Sequence, residues 1–198
     1  MPIRRDAATQ RQRIVSSALA VLARAGVDGL SMRTVARESG CTIGLINHWF
    51  TSKDDLITAA WQEAALRNNR MSEQVAARGI SLTELQRFLA TTPGQRRDQA
   101  VWLAFNAITI GNRGLHARQA RYYAEGREYL IGLLNRAGYP TARAKRVAPA
   151  IMAAMDGVLY SAGIEPNFWS ADRQRRALAM LISHLLPRKP RQRSRRRT

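Results

Sequence analysis

The stretch MRTVARESGCTIGLINHWF, Met32 to Phe50, decides how this chain is read, because it has the layout of two short helices folded tightly on each other. Ser31 starts the first helix, which runs through Ser39 and is broken at Gly40. A glycine there can adopt the left-handed backbone that a tight turn requires. Thr42 starts the second helix, which ends near Phe50, and its hydroxyl suits the free amides of that helix's first turn. Ala36 is small where the two helices must cross, and Val35 and Ile46 are apolar at facing positions. The pattern is that of a helix-turn-helix, in which the first turn of the second helix would point into a DNA major groove.

The segments on either side support a compact unit. A helix is expected from about Ala8 to Ala25, with Ile14, Val15, Ala18, Leu19 and Leu22 on one half-buried stripe and Gly26 as its stop. Ser52-Lys-Asp-Asp55 places a side-chain acceptor three residues before an acid, a capping-box pattern that opens a long helix toward Met71. Helical spacing continues over roughly Leu82 to Thr91, Gln95 to Ile110, Leu115 to Ala137, Ala142 to Ala162 and Ala171 to Leu186. Gly and Pro clusters separate these segments, and Pro149 should kink its helix or shift its start. No sustained period-two alternation is present, so the fold class is all-α.

Composition narrows the function classes. The 198 residues carry a net charge of +18, which favours polyanionic partners. Seven of the excess charges lie in Pro187 to Thr198, whose composition predicts a basic disordered tail. The other eleven belong to the rest of the chain. Arginine supplies 29 of the 32 basic residues, which codon usage of a GC-rich genome produces as readily as selection for phosphate contact. Charge alone does not decide between them. A lone cysteine, Cys41, leaves no internal disulfide and no multi-cysteine metal cluster, and no metal or cofactor is expected. His48, His116 and His184 are scattered, and no phosphate loop or dinucleotide fingerprint is present, so an enzyme is not expected. No apolar run approaches the roughly 18 uninterrupted residues of a membrane span, and no secretory signal follows the N-terminus, so no membrane partner and a cytoplasmic location are expected.

Taken together, Gly40-Cys-Thr-Ile-Gly44-Leu-Ile-Asn-His-Trp-Phe50 and Thr-Ser-Lys53-Asp-Asp-Leu56 resemble the signature of TetR-type repressors over about 45 residues. The run from Gly44 to Phe50 is similar to the choline-responsive BetI branch. The resemblance implies a DNA-binding domain over 1–52, a helical ligand-binding and dimerisation domain over 53–186, and the basic tail over 187–198. It also implies a repressor that binds a palindromic double-stranded operator as a homodimer and is released by a small-molecule inducer. Thr42, Gly44, Leu45, Asn47 and His48 then face bases and phosphates, and Arg33 and Lys53 bind phosphate. The chemistry agrees, since Asn pairs with adenine edges, Leu touches a thymine methyl and the cations neutralise phosphate. His48 has an alternative as a surface residue packed on Trp49. Trp49 and Phe50 are expected in the core.

By the same resemblance the last two long helices pair with their copies in a second subunit. Ile151, Met155, Val158 and Leu159 on one, and Leu178, Leu181, Ile182 and Leu185 on the other, are the expected dimer interface. Burial within one subunit is the alternative. The middle helices bring Trp61, Trp102, Phe105, Asn106, Tyr122 and Asp156 as ligand-binding candidates. Aromatics with an acid can box a cation, and similarity to BetI segments raises a quaternary ammonium inducer. Plain core packing explains an aromatic stripe equally. Asn106 and Asp156 stand out because a buried polar group needs a partner.

Overall fold

The computed structural model describes residues 3–186, with side chains from Ala7 onward. The basic tail expected over 187–198 lies outside the described residues. Nine α-helices and one short 3-10 turn make up the described chain, and no strand occurs among those residues. The helices are α1 (Ile3–Ala25), α2 (Met32–Ser39), α3 (Ile43–Trp49), α4 (Lys53–Arg78), α5 (Leu82–Leu85), α6 (Pro93–Gly111), α7 (Arg113–Arg136), α8 (Thr141–Ile164) and α9 (Ala171–Leu185).

Several boundaries differ from expectation for identifiable reasons. α1 begins five residues earlier than Ala8, because nothing in the segment before Ala8 breaks a helix. α4 runs seven residues past Met71, to the stop at Gly79. The helix expected from Leu82 to Thr91 is one α-turn followed by a 3-10 turn over Gln86–Phe88. It is cut short where Leu89 turns extended and Gln95 Nε2 donates to the Arg87 carbonyl at 2.7 Å. Pro149 neither starts nor ends α8, which runs unbroken through it. Pro149 and Lys145, whose carbonyl loses its helical donor to the proline, both lie on the exposed side of the helix.

Two hydrophobic clusters hold these helices. The first packs Ile14, Val15, Ala18, Leu22 and Leu30 against Val35, Ile46 and Phe50, and extends through Leu56, Ala60 and Trp61 of α4 to Val101 and Phe105 of α6. Each fully buried Leu, Ile or Phe contributes about 1.5–3 kcal/mol of transfer free energy, so these side chains fix the angle between the first four helices. The second joins Leu85, Leu89, Leu130, Ile131 and Leu134 to Val147, Ile151, Val158, Leu178 and Ile182. α6 is the bar between the two, since it packs on α1 and α4 at one side and on α7 and α8 at the other. Gln99 on α6 donates from Nε2 to the Leu159 carbonyl of α8. α8 is long and apolar enough to cross a membrane by length and composition, with mean hydropathy 1.4 over its best window, although it packs on α6, α7 and α9.

Candidate nucleic-acid interface and aromatic cluster

The turn between α2 and α3 is built as its residues dictate. Gly40 sits at φ +65°, in the left-handed region. Its N–H donates to the Arg37 carbonyl at 3.3 Å and the Cys41 N–H to the Ala36 carbonyl at 3.0 Å, the paired bonds that close a helix on a glycine. At the other end of α2, Ser31 and Thr34 form a reciprocal cap, with the Thr34 N–H on the Ser31 hydroxyl at 3.1 Å and the Ser31 N–H on the Thr34 hydroxyl at 2.8 Å. Ala36, Val35 and Ile46 are buried at the crossing. Thr42 caps α3 by accepting from the Leu45 N–H at 3.2 Å. The turn therefore holds α3 rigidly against α2.

What α3 leaves outside is the candidate DNA face. Thr42, Gly44, Asn47 and His48 are exposed. Gly44 has only the Thr42 hydroxyl near its missing side chain, at 3.9 Å, so a phosphate or base edge can approach the backbone there. Leu45 is half-buried, which leaves only part of its side chain for the duplex. Arg33 is exposed in the first turn of α2. Lys53 is exposed too, and its ammonium already donates to the Val27 carbonyl at 3.3 Å, which straps the start of α4 to the loop before α2. His48 meets Trp49 edge to face with ring centres 5.3 Å apart, so it packs on the aromatic while staying open to solvent. Phe50 is fully buried as expected, whereas Trp49 is only half-buried. Its position at the end of a seven-residue helix lets just one side of the indole reach the core.

Five of the six ligand candidates form one connected cluster on α4, α6 and α7, and Asp156 of α8 reaches it through Tyr123, whose ring meets Tyr122. Trp61 donates its indole N–H to Gln119 Oε1 at 2.7 Å, and Gln119 Nε2 donates to Asn106 Oδ1 at 3.2 Å. Tyr122 stacks on Trp102 with centroids 5.5 Å apart and planes 19° apart, and meets Trp61 edge to face at 5.7 Å. Its hydroxyl accepts from Asn68 Nδ2 at 2.6 Å. Phe105 is fully buried behind Trp102, so it backs the cluster and is corrected from a ligand contact to a core residue. Asn106 and Asp156 are accessible. Burial raises the Asp156 carboxyl above its ordinary value, and a hydrogen bond with Tyr123 acts the other way. Burial, the Asp156 charge and its hydrogen bond push the Tyr123 hydroxyl up, and burial does the same to Tyr122, so both stay neutral.

Comparison with known proteins bears on both regions. Residues 14–60 match the family described as bacterial regulatory proteins of the tetR family, and residues 81–187 match the BetI-type transcriptional repressor C-terminal family. The chain belongs to the TetR family. It is a BetI-type transcriptional repressor of that family and, like its relatives, not an enzyme. It is 24% identical to the regulator PksA of Bacillus subtilis over 192 residues, covering 93% of this chain and 94% of that one. It is 30% identical to BetI of Rhizobium meliloti over 157 residues, covering 75% of each. A transcriptional regulator from Rhodococcus sp. Rha1 superposes with a TM-score of 0.81 at 23% identity, over 89% of this chain and 95% of the other. A regulator from Saccharomonospora viridis, solved in complex with choline, gives a TM-score of 0.68 at 25% identity, over 89% and 97%.

For this TetR-family chain, the expected dimer residues need correction. Ile151, Val158, Leu178 and Ile182 are buried in the protomer's own second cluster, Met155 and Leu185 are half-buried on it, and Leu159 is half-buried beside Gln99 of α6. α8 packs on both α7 and α9 of the same chain, and α9 packs on α8. Only Leu181 is exposed. The other large apolar residues that α8 and α9 leave outside are Tyr160, Ile164 and Met180. Sequence reasoning also missed Gln119 and Asn68, whose polar types on amphipathic helices gave no sign of a buried aromatic partner. It missed Arg11, whose guanidinium lies 5.2 Å from the centre of the Phe50 ring, and Arg13, which reaches the Gly40 turn.

Proposed function

We propose that the protein represses transcription as a homodimer on a palindromic DNA operator, and that a small cationic inducer releases it. The observation that carries this reading is the solvent-facing set Thr42, Gly44, Asn47 and His48, on a helix pinned by the Gly40 turn, in one chain with the cluster around Trp102, Tyr122 and Asp156. Residues 1–52 read DNA, with Arg33 and Lys53 on phosphate and Leu45 at the edge of the contact. Residues 53–186 sense and dimerise. The work is done in the cytoplasm, where the chromosome is, and the basic tail adds affinity that does not depend on sequence.

Dimerisation follows from what α8 and α9 leave uncovered. Ala153, Gly157, Tyr160 and Ile164 lie on one exposed face of α8, and Met180 and Leu181 are exposed on α9. Only 28% of the apolar window of α8 is buried within the protomer. A second copy packed there as a four-helix bundle removes that surface from water and sets two α3 helices on successive major grooves, about 34 Å or a multiple apart.

The inducer reading rests on Trp102, Tyr122 and Asp156. Two ring faces and a carboxylate suit a quaternary ammonium ion, with about 2 kcal/mol for a desolvated cation on an aromatic face. The rings stack on each other, so entry parts them. The Saccharomonospora viridis relative holds choline, which makes choline the first compound to try. Selection of bound duplexes from a random pool, then operator titration with choline chloride against sodium chloride, tests both halves. An enriched palindrome and weaker binding in choline are expected. Equal affinity for every duplex would sink the repressor reading, and no effect of choline or larger quaternary ammonium ions would sink the inducer class alone.

A further inference from the structure

A shallow, open cleft of about 620 Å³ lies where α1, α2 and α6 meet, and it shares no lining residue with the α3 face or the aromatic cluster. Its floor is made of methyl groups, from Ala20 and Ala23 of α1 and Ala100 of α6. Its walls carry Arg24 of α1, Glu38 of α2, and Arg96 and Arg97 of α6. We propose that this cleft binds a small multivalent anion, a di- or tricarboxylate or a phosphorylated metabolite, and that its occupancy is linked to operator affinity.

Charge and size carry the assignment. Three guanidinium groups and one carboxylate line the cleft, and that carboxylate is already engaged: Glu38 accepts from Arg24 Nη2 at 2.8 Å and Nη1 at 3.3 Å. Arg96 makes only a long bond, from Nη1 to the Thr91 carbonyl at 3.4 Å. Arg97 has the neighbouring Asp98 as an electrostatic partner, and burial holds that carboxyl above its ordinary value. The first turn of α6 is closed by the reciprocal cap between Thr92 and Gln95, so the arginine side chains, not the helix end, are the recognition groups. Planar guanidinium forks match carboxylate and phosphate oxygens in pairs, which selects multivalent anions over chloride. The volume falls in the range of small-molecule sites. No residue of the exposed α3 face lines the cleft, which separates it from the duplex.

The position supplies the link. An anion held by Arg24 on one wall and Arg96 and Arg97 on the other ties the helices that carry the reading head to α6, so its binding and DNA binding must affect each other equally if the head moves. This second half rests on the operator reading; the binding half stands without it.

Calorimetric titration of the full chain with citrate, and separately with inorganic pyrophosphate, at constant ionic strength tests the site. One ion per protomer is expected, and whichever of the two binds more tightly shows whether carboxylate or phosphate chemistry is preferred. The double variant R96A/R97A should bind about tenfold or more weakly, as removal of two charged hydrogen-bond donors requires, with unchanged Tm and unchanged operator affinity in the absence of the anion. Glu38→Gln, which frees Arg24, should tighten binding. Saturating anion should shift operator affinity in the parent protein and not in the double variant. Citrate and pyrophosphate acting no differently from sodium chloride, or binding parent and variant alike, overturns the site. Weaker operator binding by the double variant without any anion assigns these arginines to the DNA backbone and overturns it as well. Anion binding that leaves operator affinity unmoved overturns the link.

Discussion

Trp61 on α4 donates its indole N–H to Gln119 on α7 at 2.7 Å, with both side chains buried, so the helix that follows the DNA-reading unit is hydrogen-bonded directly to the wall of the aromatic cluster. The same Gln119 passes its amide to Asn106 on α6. One side chain thus joins three helices of the first hydrophobic cluster to the place where an inducer is proposed to bind.

Replacing Gln119 by Leu leaves the Trp61 N–H buried without an acceptor. Stability should fall by about 1–3 kcal/mol, the cost of an unsatisfied buried donor. Trp61→Phe in the same background removes that donor, so the double variant should lose less than the sum of the two single changes. Chemical denaturation of the four proteins checks this, and strict additivity would contradict a direct bond between the two side chains.

Gly40→Ala forces a side chain into a left-handed backbone and brings its Cβ within 3.2 Å of Arg13 Nη2. A loss of about 1–2 kcal/mol is expected from the backbone alone. Arg13 must also shift, so operator affinity should drop more than stability does. Paired thermal melts and fluorescence anisotropy measure the two effects.

Asn47 and Arg33 should fail differently. Asn47→Ala is expected to change which bases are preferred at one operator position while leaving the salt dependence alone. Arg33→Ala should weaken all sequences alike and flatten the slope of log K against log salt by about 0.9 for each phosphate no longer neutralised, hence about twice that in a dimer. Anisotropy across a salt series on matched and mismatched duplexes separates them.

Asp156 gives a pH test with a definite sign. Its carboxyl is raised mainly by burial, so the native state holds the proton more tightly than the unfolded chain does. The stability tied to the protonated form is complete at low pH and declines as pH rises from the ordinary aspartate value through the raised one. Asp156→Asn should flatten that decline, melting higher than the parent at neutral pH while binding choline more weakly. A variant that melts lower at every pH contradicts the burial argument.

Met180→Asp places a charge on the face proposed to meet a second copy. Sedimentation equilibrium should show monomers at concentrations where the parent dimerises, with weaker operator binding. Leu66→Asp, at an exposed leucine on α4, serves as the control and should leave the dimer intact.

The reading unit was legible in the chain because its determinants are local. Ser31, Gly40, Thr42 and Ser52 act through hydrogen bonds within a few residues and through backbone conformation, and each stands at the helix end where its chemistry placed it. The family signature lies in the same local residues. The aromatic cluster was half legible: the residue types were visible, but its polar ties through Gln119 and Asn68 join positions 58 and 54 residues apart, and nothing local announces such pairs.

What the sequence by itself determined is therefore the helical class, the turn at Gly40 and the placement of the two helices that flank it, all consequences of short-range capping and of apolar spacing along single helices. Only the tertiary structure decided which side of each apolar stripe points inward. Ile151, Val158, Leu178 and Ile182 share helices with Tyr160, Ile164, Met180 and Leu181, yet the first four fill the protomer and the second four stay outside. Periodicity tells that a stripe exists, whereas its occupant is set by the relative rotation of packed helices, which depends on every side chain where they meet.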